Sequence, residues 1–169
     1  VSDEYDLFFK ISLLLFYLGL IALGYYKNGK SFKGYLKLMS YSGKLITDFT
    51  QLCGYGLTYI HMGIMGLLCM LFVCLTGGCT AYNGAIAGSI LAVSGFADFG
   101  KHPKNSIPIL IGVYIGGLLK IWEIDSTSFI IAGLFGTALA PITGKFGILA
   151  GMIAGFLHLS VSMNVSQVH

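Results

Sequence analysis

Residues 77–96 read GGCTAYNGAIAGSILAVSGF, and they stand where a chain this apolar is due a membrane span. The first eight, Gly77 to Gly84, interrupt a helix with three glycines, a thiol, Thr80, Tyr82 and Asn83. Only Ala85 to Phe96 has helical composition. Two readings of 77–84 are open. One is a surface loop that leads into a short tilted helix. The other is a helix broken inside the membrane at a transport site.

Composition fixes the class. Hydrophobic residues make up 56% of the 169, only 10% are charged, and the mean hydropathy is +0.82, whereas an ordinary soluble domain is about one quarter charged. The sequence therefore predicts an all-α integral membrane protein, a polytopic helix bundle forming a single transmembrane domain over 1–169. The 24 glycines lack a collagen-like period and suit helices whose backbones approach closely. The opening VSDEYDLFFK is acidic where a secretory signal peptide is basic, so none is expected. All ten basic residues are Lys, and the net charge of +3 makes no nucleic-acid footprint.

Six apolar segments follow one another: Leu7 to Tyr26, Leu52 to Thr76, the opening stretch to Phe96, Ile107 to Trp122, Ser128 to Ala140 and Phe146 to Val161. Several fall short of the roughly 20 residues of a straight crossing. With the N-terminus outside, the inner loops 27–51, 97–106 and 141–145 collect eight of the ten Lys, as the positive-inside rule requires. That agreement needs 77–96 to cross, which favours the broken helix, discontinuous at 77–84. Within 27–51, Lys30, Lys33, Lys37, Ser40 and Lys44 recur at spacings of three and four opposite Phe32, Tyr35, Leu36 and Met39, the pattern of an amphipathic helix lying in the cytoplasmic interface.

Gly147, Gly151 and Gly155 form two overlapping GxxxG steps, Gly112 and Gly116 another, and Gly84 and Gly88 a fourth. Such steps let a neighbouring helix approach closely. His158 lies on the Gly147/Gly151 face, and His61 lies inside the second segment, one turn after Thr58. Ionisable residues at this depth face the bundle interior or a water path, so each His either bridges helices or lines a solute path. Cys53, Cys69, Cys74 and Cys79 have no CxxC spacing and read as small core residues. No catalytic constellation, metal site or cofactor motif is expected. FGKHPKNSIP, 99–108, reads as an inner turn before a helix that Pro108 helps to start.

If the span breaks at 77–84, the helix beginning at Asn83 or Gly84 presents free N–H groups and a positive dipole end, and Thr80, Tyr82 and Asn83 add polar side chains. Discontinuous transporter helices bind solutes near the midplane in this way. The candidate substrate-binding residues are thus Thr80, Tyr82, Asn83, Gly84, His61 and His158.

The runs NGAIAGSILAVSGFADFGKHPKN, 83–105, and APITGKFGILAGMIAGFLHLSVSMNV, 140–165, resemble a family of prokaryotic multispanning membrane proteins known only as a domain of unknown function. A looser likeness, in paired broken helices with Tyr-Asn turns, is to urea-transporter-type channels. The family resemblance implies architecture but no activity, and a continuation past His169 carrying a second Tyr-Asn segment. Ala85 stands where that pattern has a helix-starting Pro.

These readings lead to a non-enzymatic channel or transporter for a small polar solute in a prokaryotic plasma membrane, both termini outside. The competing reading is a non-transporting membrane subunit that assembles through its GxxxG faces. The chain is expected to be half of a functional unit, completed by further sequence, by a homo-oligomer or by a second membrane subunit. In a cysteine-free background, a thiol introduced at Ser31 should be labelled only from the cytoplasmic side and one at Ser126 only from outside. Outside labelling of Ser31 in intact cells would overturn this topology.

Overall fold

The computed structural model describes residues 3–43, 47–77 and 82–166. Among them the regular structure is entirely helical: α1 Asp3–Lys27, α2 Tyr35–Leu38, α3 Phe49–Cys53, α4 Tyr55–Leu75, α5 Gly84–Gly95, α6 Pro103–Leu118, α7 Thr127–Gly136, α8 Ala140–Phe146 and α9 Ile148–Ser166. Four stretches are long and apolar enough to cross a membrane: Asp6–Lys27, Tyr55–Leu75, Thr127–Phe146 and Ile148–Val165. Between the second and third lies a hairpin of two shorter arms. One is α5 continued by a 3-10 turn, Phe96–Phe99, and the other is α6.

The bundle has two distinguishable ends. At one, the described residues of the 28–54 segment, 28–43 and 47–54, lie across the mouths of the helices as a cap, with Leu38 and Phe49 fully buried against Leu57 and Ile60. At the other, Asp6 accepts the Tyr82 N–H at 3.0 Å and the Asn83 amide donates to Thr127 at 2.9 Å. Between the ends runs a core of Tyr17, Phe72, Ile86, Ile90, Val113, Phe129, Leu134 and Leu159, drawn from α1, α4, α5, α6, α7 and α9. The outer surface carries exposed Leu7, Phe8, Leu15, Phe16, Leu71, Leu149 and Val161, as lipid-facing helices require.

Hydrocarbon gives no hydrophobic drive between helices, so contact rests on close backbone approach. On α1 and α4 that approach is antiparallel. A methyl group at Gly63 would meet the Tyr17 carbonyl oxygen at 2.8 Å, and one at Gly24 the Ile60 nitrogen at 2.6 Å. The Tyr17 ring covers Gly66, where any Cβ would collide with it. On α6 and α9 the contact is parallel. Gly112 faces the Met152 carbonyl, Gly155 faces the Ile109 carbonyl, Gly116 faces Leu159, and Gly151 faces Pro108 as well as Thr143 of α8, which lies nearer. Four glycines singled out by GxxxG spacing, Gly112, Gly116, Gly151 and Gly155, therefore lie in one interface within the chain. The groove expected to receive another subunit is filled by α6 and, at Gly151, by α8. Gly147 is not part of that face: it ends α8 at φ +93° with open space around it. Gly84 and Gly88 also face open space.

Three local expectations change. The periodic Lys pattern of 27–51 predicts one interfacial helix, but between Asn28 and Gly43 only Tyr35–Leu38 is α-helical. Positive φ values at Gly29, Lys30, Gly34 and Gly43 turn the chain instead; Lys44 lies outside the described residues. Pro108 sits inside α6, and it is Pro103 that starts the helix. Asn83, expected near mid-depth, lies at the uncapped end of the bundle beside Asp6 and Thr127.

Gly155→Ala should destabilise the protein by about 1–3 kcal/mol through overpacking. Gly88→Ala, at an open helical position, should be neutral or gain about 0.5–1 kcal/mol. Thermal unfolding in detergent measures both, and the reverse ranking would refute the α6–α9 contact.

Candidate functional site

The hairpin turn, residues 97–105, is where polar chemistry converges. Gly100 adopts φ +95°, in the left-handed region, and a Cβ there would lie 3.1 Å from the Gly43 Cα. Glycine at both positions lets the turn press onto the cap. His102 then caps α6: its Nδ1 accepts the Asn105 N–H at 3.3 Å, and the Asn105 side-chain oxygen accepts the His102 N–H at 2.8 Å. The Asn105 amide donates to the Gly100 carbonyl at 2.9 Å. His102 Nε2 donates to the Tyr41 carbonyl at 2.7 Å and ties the turn to the cap. Carbonyls only accept, so His102 carries its proton on Nε2 and is neutral. Burial holds its pKa below the ordinary value, with nearby Lys104 adding in the same direction and the Tyr41 bond opposing.

His61, fully buried on α4, holds the turn from the other side. Its Nε2 donates to the Lys101 carbonyl at 2.6 Å, with the Ala97 carbonyl at 3.3 Å. Its Nδ1 is then the acceptor for the Tyr35 hydroxyl at 3.1 Å. Burial pushes the Tyr35 phenol above its ordinary pKa, which keeps it a donor. Phe49 stacks edge-on against the imidazole at 5.2 Å.

Two charged side chains leave this turn in different directions. Asp98 points toward the cap, where its carboxylate accepts the Thr50 N–H and hydroxyl, each at 2.9 Å, and the Thr58 hydroxyl at 3.4 Å. Lys101 points into the bundle, its Nζ 3.5 Å from the Thr137 hydroxyl, where α7 gives way to a 3-10 turn. Neither forms an ion pair among the described residues, where Lys10–Asp6 alone does so. No three His, Cys, Asp or Glu side chains converge there to hold a metal ion.

The residues expected to form one site lie in three places. Tyr82, buried with Lys10 over its ring at 5.5 Å, and Asn83, whose side chain accepts the Ile86 N–H at 3.0 Å to cap α5, sit at the uncapped end with Gly84. The cleft at this end, about 650 Å³, is lined by Thr76, Gly77, Gly117, Lys120, Trp122 and Asp125 among others, and by none of these three. Thr80 and Cys79 lie outside the described residues. His61 belongs to the turn near the cap. His158 bridges α9 to α7 by donating to the Ala132 carbonyl at 3.0 Å. Sequence reasoning missed Asp98 and Lys101 as site residues; the signal was the Pro at the helix start with His and Asn at capping-box spacing, which fixes where α6 begins and aims the residues before it.

Residues 27–169 match the family model described as a protein of unknown function, DUF1576. No curated protein and no solved structure matches the chain.

The neutral state of His102 gives a pH dependence. Because burial lowers its folded pKa below the ordinary 6.5, the unfolded chain binds a proton as pH falls through about 6.5 while the folded chain resists. This contribution is full above that pH and declines below it, by at most about 1.4 kcal/mol per pH unit. Unfolding of His102→Asn, which keeps a capping acceptor but does not titrate, should show a shallower loss of stability between pH 7 and 5 than the native protein. Equal slopes would refute the neutral cap.

Proposed function

The chain belongs to the DUF1576 family, and from there we propose that it moves a small polar solute across a prokaryotic plasma membrane, as a channel or transporter. The solute is handled at the turn of the 84–118 hairpin. In this reading the chain crosses six times, the two hairpin arms joining the four long helices. The third crossing is the discontinuous one, broken at 77–84, with its helix starting at the Asn83 cap. The cap 28–54 is cytoplasmic and both termini are outside, which follows the concentration of Lys at the capped end.

The observation that carries the reading is Lys101. An ammonium reaching into an apolar bundle, with a threonine hydroxyl at 3.5 Å and no carboxylate among the described residues to pair with it, is costly and marks a solute path. Asp98, three residues earlier, supplies the opposite charge on the other side of the turn. The cleft at the uncapped end, lined by Thr76, Lys120 and Asp125 among others, serves as the outer approach.

A second reading, a non-transporting subunit, is favoured by the open face of α5, where Gly84, Gly88 and Gly95 have nothing within 4 Å. A second copy of the chain or another membrane subunit fits there.

Flux into liposomes carrying the purified protein, screened over urea, ammonium, formate and similar solutes, separates the two. Lys101→Met should lower flux at least tenfold while the protein stays monodisperse with an unchanged melting temperature, and Gly88→Leu should leave flux intact. Absence of flux for every solute, together with loss of a complex on Gly88→Leu, would favour the assembly reading.

A further inference from the structure

We propose that the cavity where α1 meets the cap binds one anionic glycerophospholipid. The cavity, about 540 Å³, is lined by Leu18, Ile21, Ala22 and Tyr25 of α1 and by Lys30, Ser31 and Phe32 of the cap. The four α1 residues fall at i, i+3, i+4 and i+7, one helix face about 10 Å long.

The other wall exists because the chain reverses after α1. Gly29 and Lys30 both take left-handed backbone, at φ +68° and +56°. The Lys30 N–H bonds back to the Tyr25 carbonyl at 2.9 Å, and the Asn28 amide donates to the Ser31 carbonyl at 2.6 Å and the Lys33 carbonyl at 3.3 Å. This turn folds Phe32 onto Tyr25, ring centroids 4.9 Å apart. Lys30, a residue for which left-handed backbone is unfavourable, is thereby set at the mouth of the cavity.

Polarity is graded along the membrane normal. Lys30 and Ser31 lie beyond the end of the apolar span, Tyr25 and Phe32 stand at the level where aromatic rings favour the headgroup interface, and Leu18 lies about 13 Å deeper, nine residues before Lys27 at the helical rise. A phosphate fits at the lysine and an acyl chain fits along α1. The charge is one-sided: Lys27, Lys30, Lys33 and Lys37 stand within eleven residues, and no Asp or Glu occurs between Asp6 and Asp48. Each basic residue near the surface favours an anionic over a zwitterionic head. The Ser31 hydroxyl accepts the Lys33 N–H at 3.0 Å, and its own proton can be donated to a phosphate oxygen.

Native mass spectrometry of the delipidated full-length chain tests this, with phosphatidylglycerol, phosphatidylcholine and inorganic phosphate as probes. One phosphatidylglycerol should stay bound, phosphatidylcholine should bind at least tenfold more weakly, and millimolar phosphate should not displace the lipid. Lys30→Gln, at an exposed position that folding does not need, should weaken phosphatidylglycerol about tenfold. Leu18→Trp, which fills the cavity, should abolish the single tight site, and Lys120→Gln should change nothing. Equal binding of the two lipids, displacement by phosphate, or an unchanged affinity in Lys30→Gln would each overturn the proposal.

Discussion

The hairpin turn has to satisfy its backbone where water is scarce, and the rest of the molecule is arranged around that demand. An unbonded carbonyl in hydrocarbon costs several kcal/mol. The carbonyls of Ala97, Gly100 and Lys101 find His61 and Asn105 as donors. Each donor needs its own support: His61 from Tyr35, Asn105 from His102, and His102 from Tyr41. The polar residues therefore come from α4, from the turn and from the cap together. The cap is as much a partner of the hairpin as a link between α1 and α4.

Around this centre the helices are held by glycine contacts of two kinds. The α1–α4 pair is antiparallel and linked by the cap. The α6–α9 pair is parallel, its members separated by the whole of α7 and α8. In both, glycines meet backbone atoms of the partner, Gly24 and Gly63 in one pair and Gly112 and Gly155 in the other, so a single added carbon there collides with a group that cannot rotate away. Hydrogen bonds then tie each pair to a third helix: His158 joins α9 to α7 through the Ala132 carbonyl, and Tyr17 joins α1 to α5 through Ser94.

How much of this was legible in the sequence depended on whether the signal was local. Helical class and apolar spans follow from composition, and Gly112, Gly116, Gly151 and Gly155 stand at a spacing that marks a helix face. The α1–α4 contact was hidden because Gly24 lies in one helix while Gly56, Gly63 and Gly66 lie in another at mixed spacings of seven and three. The Lys spacing in 27–51 imitated a helix because periodicity says nothing about Gly29, Gly34 and Gly43, whose left-handed backbone breaks it. Asp98 and Lys101 looked like loop charges. Their directions are set by Gly100 packing on Gly43, a contact across 57 residues, and no window of sequence contains it.

The parallel contact of α6 and α9 carries a constraint of parity. Two helices that point the same way can touch along their lengths only if the chain between them returns once across the bundle, and residues 127–146 make that return despite the 3-10 turn at Thr137–Leu139 in their middle. If that stretch did not cross the bundle, α9 would run in the opposite sense and present Gly151 and Gly155 to the wrong residues of α6. The glycine seam thus accepts α9 in one sense alone, and the packing of two helices records the direction of the stretch that joins them.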